Sequence, residues 1–160
     1  MIHYLDGDAT QPIGPRDDYK LIIHVCNNVG AWGAGFVLAV TKTFGAGPEM
    51  FYKRDIKAGK LTLGDTQFVD VTNRITVANM VAQTLGRTQG PNIDYDALKK
   101  CLQDVAMRAR AHGATVHGPR FGAGLAGGKW DIIEGLINET MADLEVHIYD
   151  YKGPGAIQWR

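Results

Sequence analysis

The sequence predicts an α/β protein with helices on both faces of a mixed central sheet. Three observations carry that prediction. Short apolar runs of strand character alternate with segments of helical spacing along the 160 residues. Two of those strands, residues 20–26 and 115–117, run into glycine-rich loops that open helices. Residues 67–71 and 75–82 are joined by the tight Thr72-Asn73-Arg74 connection, and that hairpin makes the sheet partly antiparallel.

The elements follow in order. Residues 2–5 are a short alternating strand ending at the Asp6-Gly7-Asp8 turn, and residues 11–19 are a loop by composition. Residues 20–26 form the second strand. A helix over 35–44 stops at Gly45-Ala46-Gly47-Pro48, and a second over 49–58, with Met50, Phe51 and Ile56 inward, closes at Gly59. The hairpin follows, its second strand apolar enough to be central, and a polar loop over 83–92 leaves it. Asp94 caps a helix to about His112, where Leu98, Cys101, Leu102, Val105 and Ala109 fall at helical spacing before Gly113 ends it. A strand over 115–117, the second glycine loop, a helix over 131–142 and a last strand over 144–149 complete one domain, residues 1–150. An irregular tail covers 151–160.

Lys and Arg number 17, as do Asp and Glu, so no long-range field draws DNA or an acidic membrane surface. A bound phosphate must then be held by local backbone geometry. Cys26 and Cys101 have no metal-ligand spacing and suggest no disulfide framework; His3, His112, His117 and His147 are equally scattered. No metal and no cofactor is expected. The start carries no basic segment followed by an apolar stretch, and no apolar run approaches membrane-spanning length. The expectation is a cytoplasmic monomer without a membrane partner.

Candidate chemistry gathers where strands become helices, the end of an open α/β sheet at which ligands bind. His24, Asn27 and Asn28 precede Gly30, Ala31, Trp32, Gly33, Ala34, Gly35 and Phe36 at the first transition. Pro119, Arg120, Phe121, Gly122, Ala123, Gly124, Leu125, Ala126 and Gly127 follow the later strand. Glycines let backbone approach a ligand closely, and a helix start offers free N–H groups to an anion. Two such loops suggest a diphosphate between them. Gly122-Ala-Gly124-Leu-Ala-Gly127 spells G-x-G-x-x-G, but a dinucleotide fingerprint opens the first βαβ unit, whereas only one helix and one strand follow here. A Walker loop fails too, with Ala123 at its required first glycine and Trp130 after Lys129.

Other candidates read more simply. Cys26 reads as a packed thiol rather than a nucleophile. Trp130 is expected in the core, Lys129 in solvent, and Asp131 as an N-cap. Trp32 could shield a sugar or simply pack.

Gly7-Asp8-Ala9-Thr10 resembles the Gly-Asp-Ile-Thr signature of macro domains. His24-Val25-Cys26-Asn27 resembles their Asn-Ala-Ala-Asn strand end, and residues 30–36 and 120–125 resemble their two loops. Order and spacing agree over essentially the whole chain, and the wording is most similar to the branch of ADP-ribose-1″-phosphate phosphatases and ADP-ribosyl-glutamate hydrolases. The resemblance implies a three-layer α/β/α macro domain binding ADP-ribose or a derivative, free or carried by an ADP-ribosylated macromolecule.

It also implies roles. Asp8 would accept the adenine amino group, with the Ala9 N–H beside it. The diphosphate would lie between residues 30–36 and 122–126, Asn27 would face the distal ribose, and Phe121 and Gln83 would border that pocket. The lysine and aspartate that the glutamate-ester hydrolases use have no counterpart; those places hold Gln83-Thr84-Leu85 and Ala126. His24 could act as general base or acid at the distal ribose, or be a strand-end histidine satisfied by a backbone carbonyl. The expected activity is hydrolysis at the distal ribose, with His24 and Asn27 as the polar groups there. The alternative is a non-catalytic module that reads or sequesters ADP-ribose.

Overall fold

One sheet organises the computed structural model, which describes residues 1–86 and 91–153. In chain order the elements are β1 (Ile2–Asp6), β2 (Lys20–Asn27), α1 (Phe36–Phe44), α2 (Gly47–Lys57), β3 (Thr66–Asp70), β4 (Ile75–Gln83), α3 (Tyr95–His112), β5 (Thr115–Gly118), α4 (Trp130–Met141) and β6 (Val146–Asp150). The strands lie in the order β1-β6-β5-β2-β4-β3, all parallel except the β3–β4 hairpin. This is the mixed sheet that the sequence predicts.

Strand periodicity sorts the core into two layers. Leu21 and Ile23 of β2 face α3 and α4, joining Leu98, Leu102, Val105, Ile133 and Ile137. Ile22 and Cys26 face the other way, against Val37 and Val40 of α1 and Tyr52 of α2. β2 is buried on both sides because each face carries a helix layer. Asp94 caps α3 by accepting from the Ala97 N–H, and Gly113 ends it in the left-handed conformation.

Three local expectations are corrected. In α2 Ile56 packs against the core as expected, but the side chain buried above it is Tyr52, beside Pro48, whereas Met50 and Phe51 are exposed. The helix begins at Gly47, and its inward stripe follows the i, i+4, i+8 line Pro48, Tyr52 and Ile56, which Met50 and Phe51 miss. Lys129, not Asp131, holds the N-cap position of α4, without a side-chain cap; Asp131 lies in the first turn. Trp130 opens that helix half-buried and donates its indole N–H to the Tyr4 hydroxyl at 2.9 Å. Part of the loop over 83–92, residues 87–90, and residues 154–160 of the tail lie outside the described residues.

Candidate functional site

β2 and β5 are hydrogen-bonded neighbours, yet the loop after β2 leads to α1 on one face and the loop after β5 leads to α4 on the other. The two connections leave for opposite faces there, which opens a crevice at the carboxyl ends of the parallel strands. A cleft of about 840 Å³ occupies it, within the roughly 300–1,000 Å³ typical of small-molecule sites. Its wall takes in Asp8 after β1, Tyr149 from β6, Arg120 after β5, Asn27 from β2 and Gln83 from β4, in the order of the strands across the sheet.

At the β1 end, Asp8 Oδ1 accepts from the Thr10 N–H at 2.8 Å and the Thr10 hydroxyl at 2.7 Å. Thr43 of α1 donates to the same Thr10 oxygen at 2.9 Å, tying this turn to the helix. Asp8 Oδ2 and the N–H of buried Ala9 have no partner among the described residues. An acceptor and a donor thus stand side by side on the cleft wall. Tyr149 packs next to them; its hydroxyl accepts from the Ile13 N–H at 3.0 Å and lies 2.7 Å from His117 Nδ1.

The first loop is built around Asn27. A register shift between Cys26 and Asn27 turns the Asn27 side chain into the loop. Its Oδ1 accepts from the N–H groups of Val29 at 3.1 Å and Ala31 at 3.0 Å, and its Nδ2 donates to the Ala31 carbonyl at 2.7 Å. Gly30 sits on the protein side of that knot, near Ile56, with its N–H on the Tyr52 hydroxyl. Gly33, Ala34, Gly35 and Phe36 face the cleft, and their N–H groups have no partner among the described residues. Gly35 is the N-cap of α1, at φ 84 and ψ −150, and gives no side-chain cap. The helix start is therefore left open to the cleft.

The second loop mirrors this. Gly128 donates to the Gly122 carbonyl at 2.8 Å, and Gly127 to that of Gly124 at 3.1 Å, curling the chain on itself. The N–H groups of Gly122, Gly124, Leu125 and Ala126 remain unpartnered among the described residues. Phe121 is buried edge-on against Trp130 and forms the floor. Arg120 reaches Asp150 with two hydrogen bonds, at 2.7 and 3.1 Å, and lies over the Tyr4 and Trp130 rings. That pairing lifts the guanidinium pKa, holds the Asp150 carboxyl below the usual range and neutralises the charge locally. Gly35 and Leu125 bring the loops together: a Cβ on Gly35 would lie 3.1 Å from Leu125 Cδ1.

His24 lines the cleft with its ring almost wholly buried, edge-on to Trp32 and beside Phe36. Its Nε2 lies 2.6 Å from Asn79 Oδ1, so its partner is a neighbouring-strand side chain and not a backbone carbonyl. Burial outweighs the opposing Asn79 contact and pulls its pKa down to about 4, leaving a neutral imidazole at pH 7. Cys26 is buried, and burial pushes its thiol well above its ordinary value. This thiol is packed and protonated.

The cleft wall thus unites Asp8, Ala9, His24, Asn27, Ala31, Gly33, Ala34, Gly35, Phe36 and Gln83 with Arg120, Phe121, Gly122, Gly124, Leu125 and Ala126. It excludes Gly30, Trp32 and Ala123. Trp32 is turned into the core, where its indole N–H donates to Thr41 at 2.9 Å. Among the wall residues that sequence reasoning missed are Tyr149, Tyr151, Lys42, Leu38 and Leu85, and it also missed Tyr52 and Asn79, which hold the wall from behind. An asparagine inside an otherwise apolar strand is the one signal that could have singled out Asn79. Among the described residues there is no cluster suited to a metal ion and no helix long and apolar enough to cross a membrane.

No protein-family model matches the chain. Over 161 residues, 96% of its length, it is 29% identical to mouse Chromodomain-helicase-DNA-binding protein 1-like, of which it spans only 18%. It is 23% identical over 157 residues to the ADP-ribose 1″-phosphate phosphatase of Candida albicans, covering 93% of this chain and 99% of that one. Among solved structures it is similar to a protein of unknown function from Bacteroides thetaiotaomicron, with 45% identity, TM-score 0.88, and 93% and 97% of the two chains covered. It is also similar to a macrodomain protein from Streptomyces coelicolor, with 39% identity, TM-score 0.82, and 94% and 99% covered.

Proposed function

The chain belongs to the macrodomain family, and from that premise we propose that its cleft binds ADP-ribose or a close derivative and hydrolyses a group at the distal ribose. The single observation that carries the binding reading is the pair of facing loops whose cleft-side N–H groups are unpartnered among the described residues. Such a cradle suits a diphosphate, which a chain of zero net charge must hold by backbone dipoles. Five parallel strand ends at roughly 4.8 Å spacing give the cleft a span of roughly 19 Å, room for base, two sugars and diphosphate in line. In this reading Asp8 Oδ2 takes the adenine amino hydrogen and the Ala9 N–H a ring nitrogen. The diphosphate lies between residues 33–36 and 122–126, and the distal ribose rests on Phe121 near Asn27, His24 and Gln83.

The hydrolytic step is supported by likeness to the Candida albicans phosphatase. Water attacks the phosphorus of the 1″-phosphate, breaking its bond to the ribose oxygen and releasing inorganic phosphate, or attacks the 1″ carbon and releases the acceptor carboxylate with ADP-ribose. The loop N–H groups stabilise the negative charge that develops. His24, neutral with Nε2 occupied by Asn79, can only accept a hydrogen bond at its other nitrogen. One observation favours a second reading, binding without turnover: Asp8, at the adenine end, is the only carboxylate among the described residues on the cleft wall.

Calorimetry with ADP-ribose, followed by phosphate release from ADP-ribose-1″-phosphate in the same buffer, separates the readings. Tight binding with release establishes a phosphatase. Tight binding without release, there or from an ester-linked substrate, establishes the reader, and absence of binding refutes both.

A further inference from the structure

A file of two amides, buried Asn79 and half-buried Gln67, runs from the cleft to the protein surface behind His24. His24, Asn79 and Gln67 occupy matched positions on three adjacent strands, β2, β4 and β3. Asn79 is fully buried, and its Nδ2 donates to Gln67 Oε1 at 3.1 Å and to the Pro48 carbonyl at 3.3 Å. Gln67 in turn donates through Nε2 to Asp55 Oδ2 at 2.8 Å and to the Phe51 carbonyl at 3.0 Å. Every end of this file is determined. The carboxylate and the two carbonyls can only accept, so the Gln67 and Asn79 amides must present their oxygens towards the cleft. Asn79 Oδ1 therefore accepts at 2.6 Å, and His24 must donate from Nε2–H.

A neutral imidazole that donates from Nε2 carries a bare lone pair on Nδ1. Among the described residues, the only polar side chain in contact with that nitrogen is the Cys26 thiol. Its sulfur lies 3.9 Å from Nδ1 and 3.8 Å from Nε2, and such near-equal distances put it over the ring rather than in line with either lone pair. A buried acceptor on the cleft wall is thus left without an in-plane donor among the described residues. We propose that Asn79, oriented by Gln67, is a positioning residue that holds His24 as the Nε2–H tautomer and so makes Nδ1 the acceptor for a hydroxyl or water at the distal end of the cleft. The role of that acceptor rests on the ADP-ribose reading, whereas the tautomer does not.

The test reads the tautomer directly. Long-range proton–nitrogen correlation on the unliganded, histidine-labelled protein, with His24 assigned through a His24→Gln variant, is expected to show Nε2 protonated and Nδ1 bare. In Asn79→Asp the carboxylate faces Nε2–H, and His24 should titrate about 1–3 pH units higher. Gln67→Met, at a half-buried position that tolerates a long apolar side chain, guards against a folding failure of the Asn79 variant. With Asn79 then held by the Pro48 carbonyl alone, part of the population should adopt the Nδ1–H tautomer and ADP-ribose binding should weaken about twofold. An Nδ1–H tautomer in the unliganded wild type overturns the proposal, as does full ADP-ribose affinity in a Gln67→Met protein whose tautomers are mixed. The Nε2–H form in a wild type that binds no ADP-ribose upholds the role of Asn79 and counts instead against the reading of the cleft, so the two fail separately.

Discussion

Tyr52 of α2 donates its buried hydroxyl to Asn27, 2.8 Å from Oδ1, the same oxygen that gathers the Val29 and Ala31 N–H groups. One phenol, placed by a helix 25 residues downstream, thereby holds the first ligand loop from beneath. Tyr52→Phe keeps the ring packing and removes the hydroxyl's contacts with Asn27 Oδ1, the Asn27 carbonyl and the Gly30 N–H. It should cost about 1 kcal/mol in denaturant unfolding and weaken ADP-ribose binding several-fold by calorimetry. Unchanged affinity would mean that the loop is rigid without its support.

Gly35 occupies backbone space that is almost exclusive to glycine, at φ 84 and ψ −150. Gly35→Ala adds backbone strain of about 1–3 kcal/mol and drives a methyl against Leu125. Since the residue begins α1 and borders the cleft, the loop should shift to relieve the strain. Ligand affinity is expected to fall at least about tenfold, with a smaller drop in melting temperature. Retained affinity would show that this N–H cradle is not the anion site.

Asp8→Ala removes the acceptor at the β1 end and frees the Thr10 hydroxyl. ADP-ribose binding should weaken by about tenfold or more, with the chain still folded because Asp8 itself is only half-buried and lies outside the hydrophobic core. The hypoxanthine analogue, which lacks the amino donor, should bind wild type and variant alike. A comparable loss for both ligands would place the adenine elsewhere.

Acid should destabilise the fold through two histidines. In the unfolded chain they protonate near 6.5, whereas in the fold burial keeps His24 neutral to about pH 4 and His117 to about pH 3. The unfolded state then binds more protons across that window. Stability is at its full value above 6.5 and falls as the pH drops, by about 1.4 kcal/mol per pH unit for each histidine. The Asp143 and Asp150 carboxyls, held below their ordinary values by Arg110 and Arg120, add their loss only below about pH 4. Urea midpoints at pH 7.5, 6.0 and 5.0 should decline steadily, and His117→Gln should reduce the slope by about half. A flat profile would refute the buried neutral state.

Much of this molecule was legible in its residue order. Alternating strands and helices, the Gly113 stop, the Asp94 cap and the two glycine loops are local signals, dictated by backbone stereochemistry and the burial period of each element. Gly7-Asp8-Ala9-Thr10 and the two loops carried the family likeness for the same reason, since a ligand held by backbone N–H groups leaves its mark in short stretches of chain. The tertiary structure alone decided what side chains from distant strands do to one another. Strand order brought Asn79 and Gln67 beside His24 and left it neutral, α2 brought Tyr52 beneath Asn27, and Trp32 went into the core instead of the cleft. Sheet register and helix docking set these contacts through packing across tens of residues, and no local spacing encodes them.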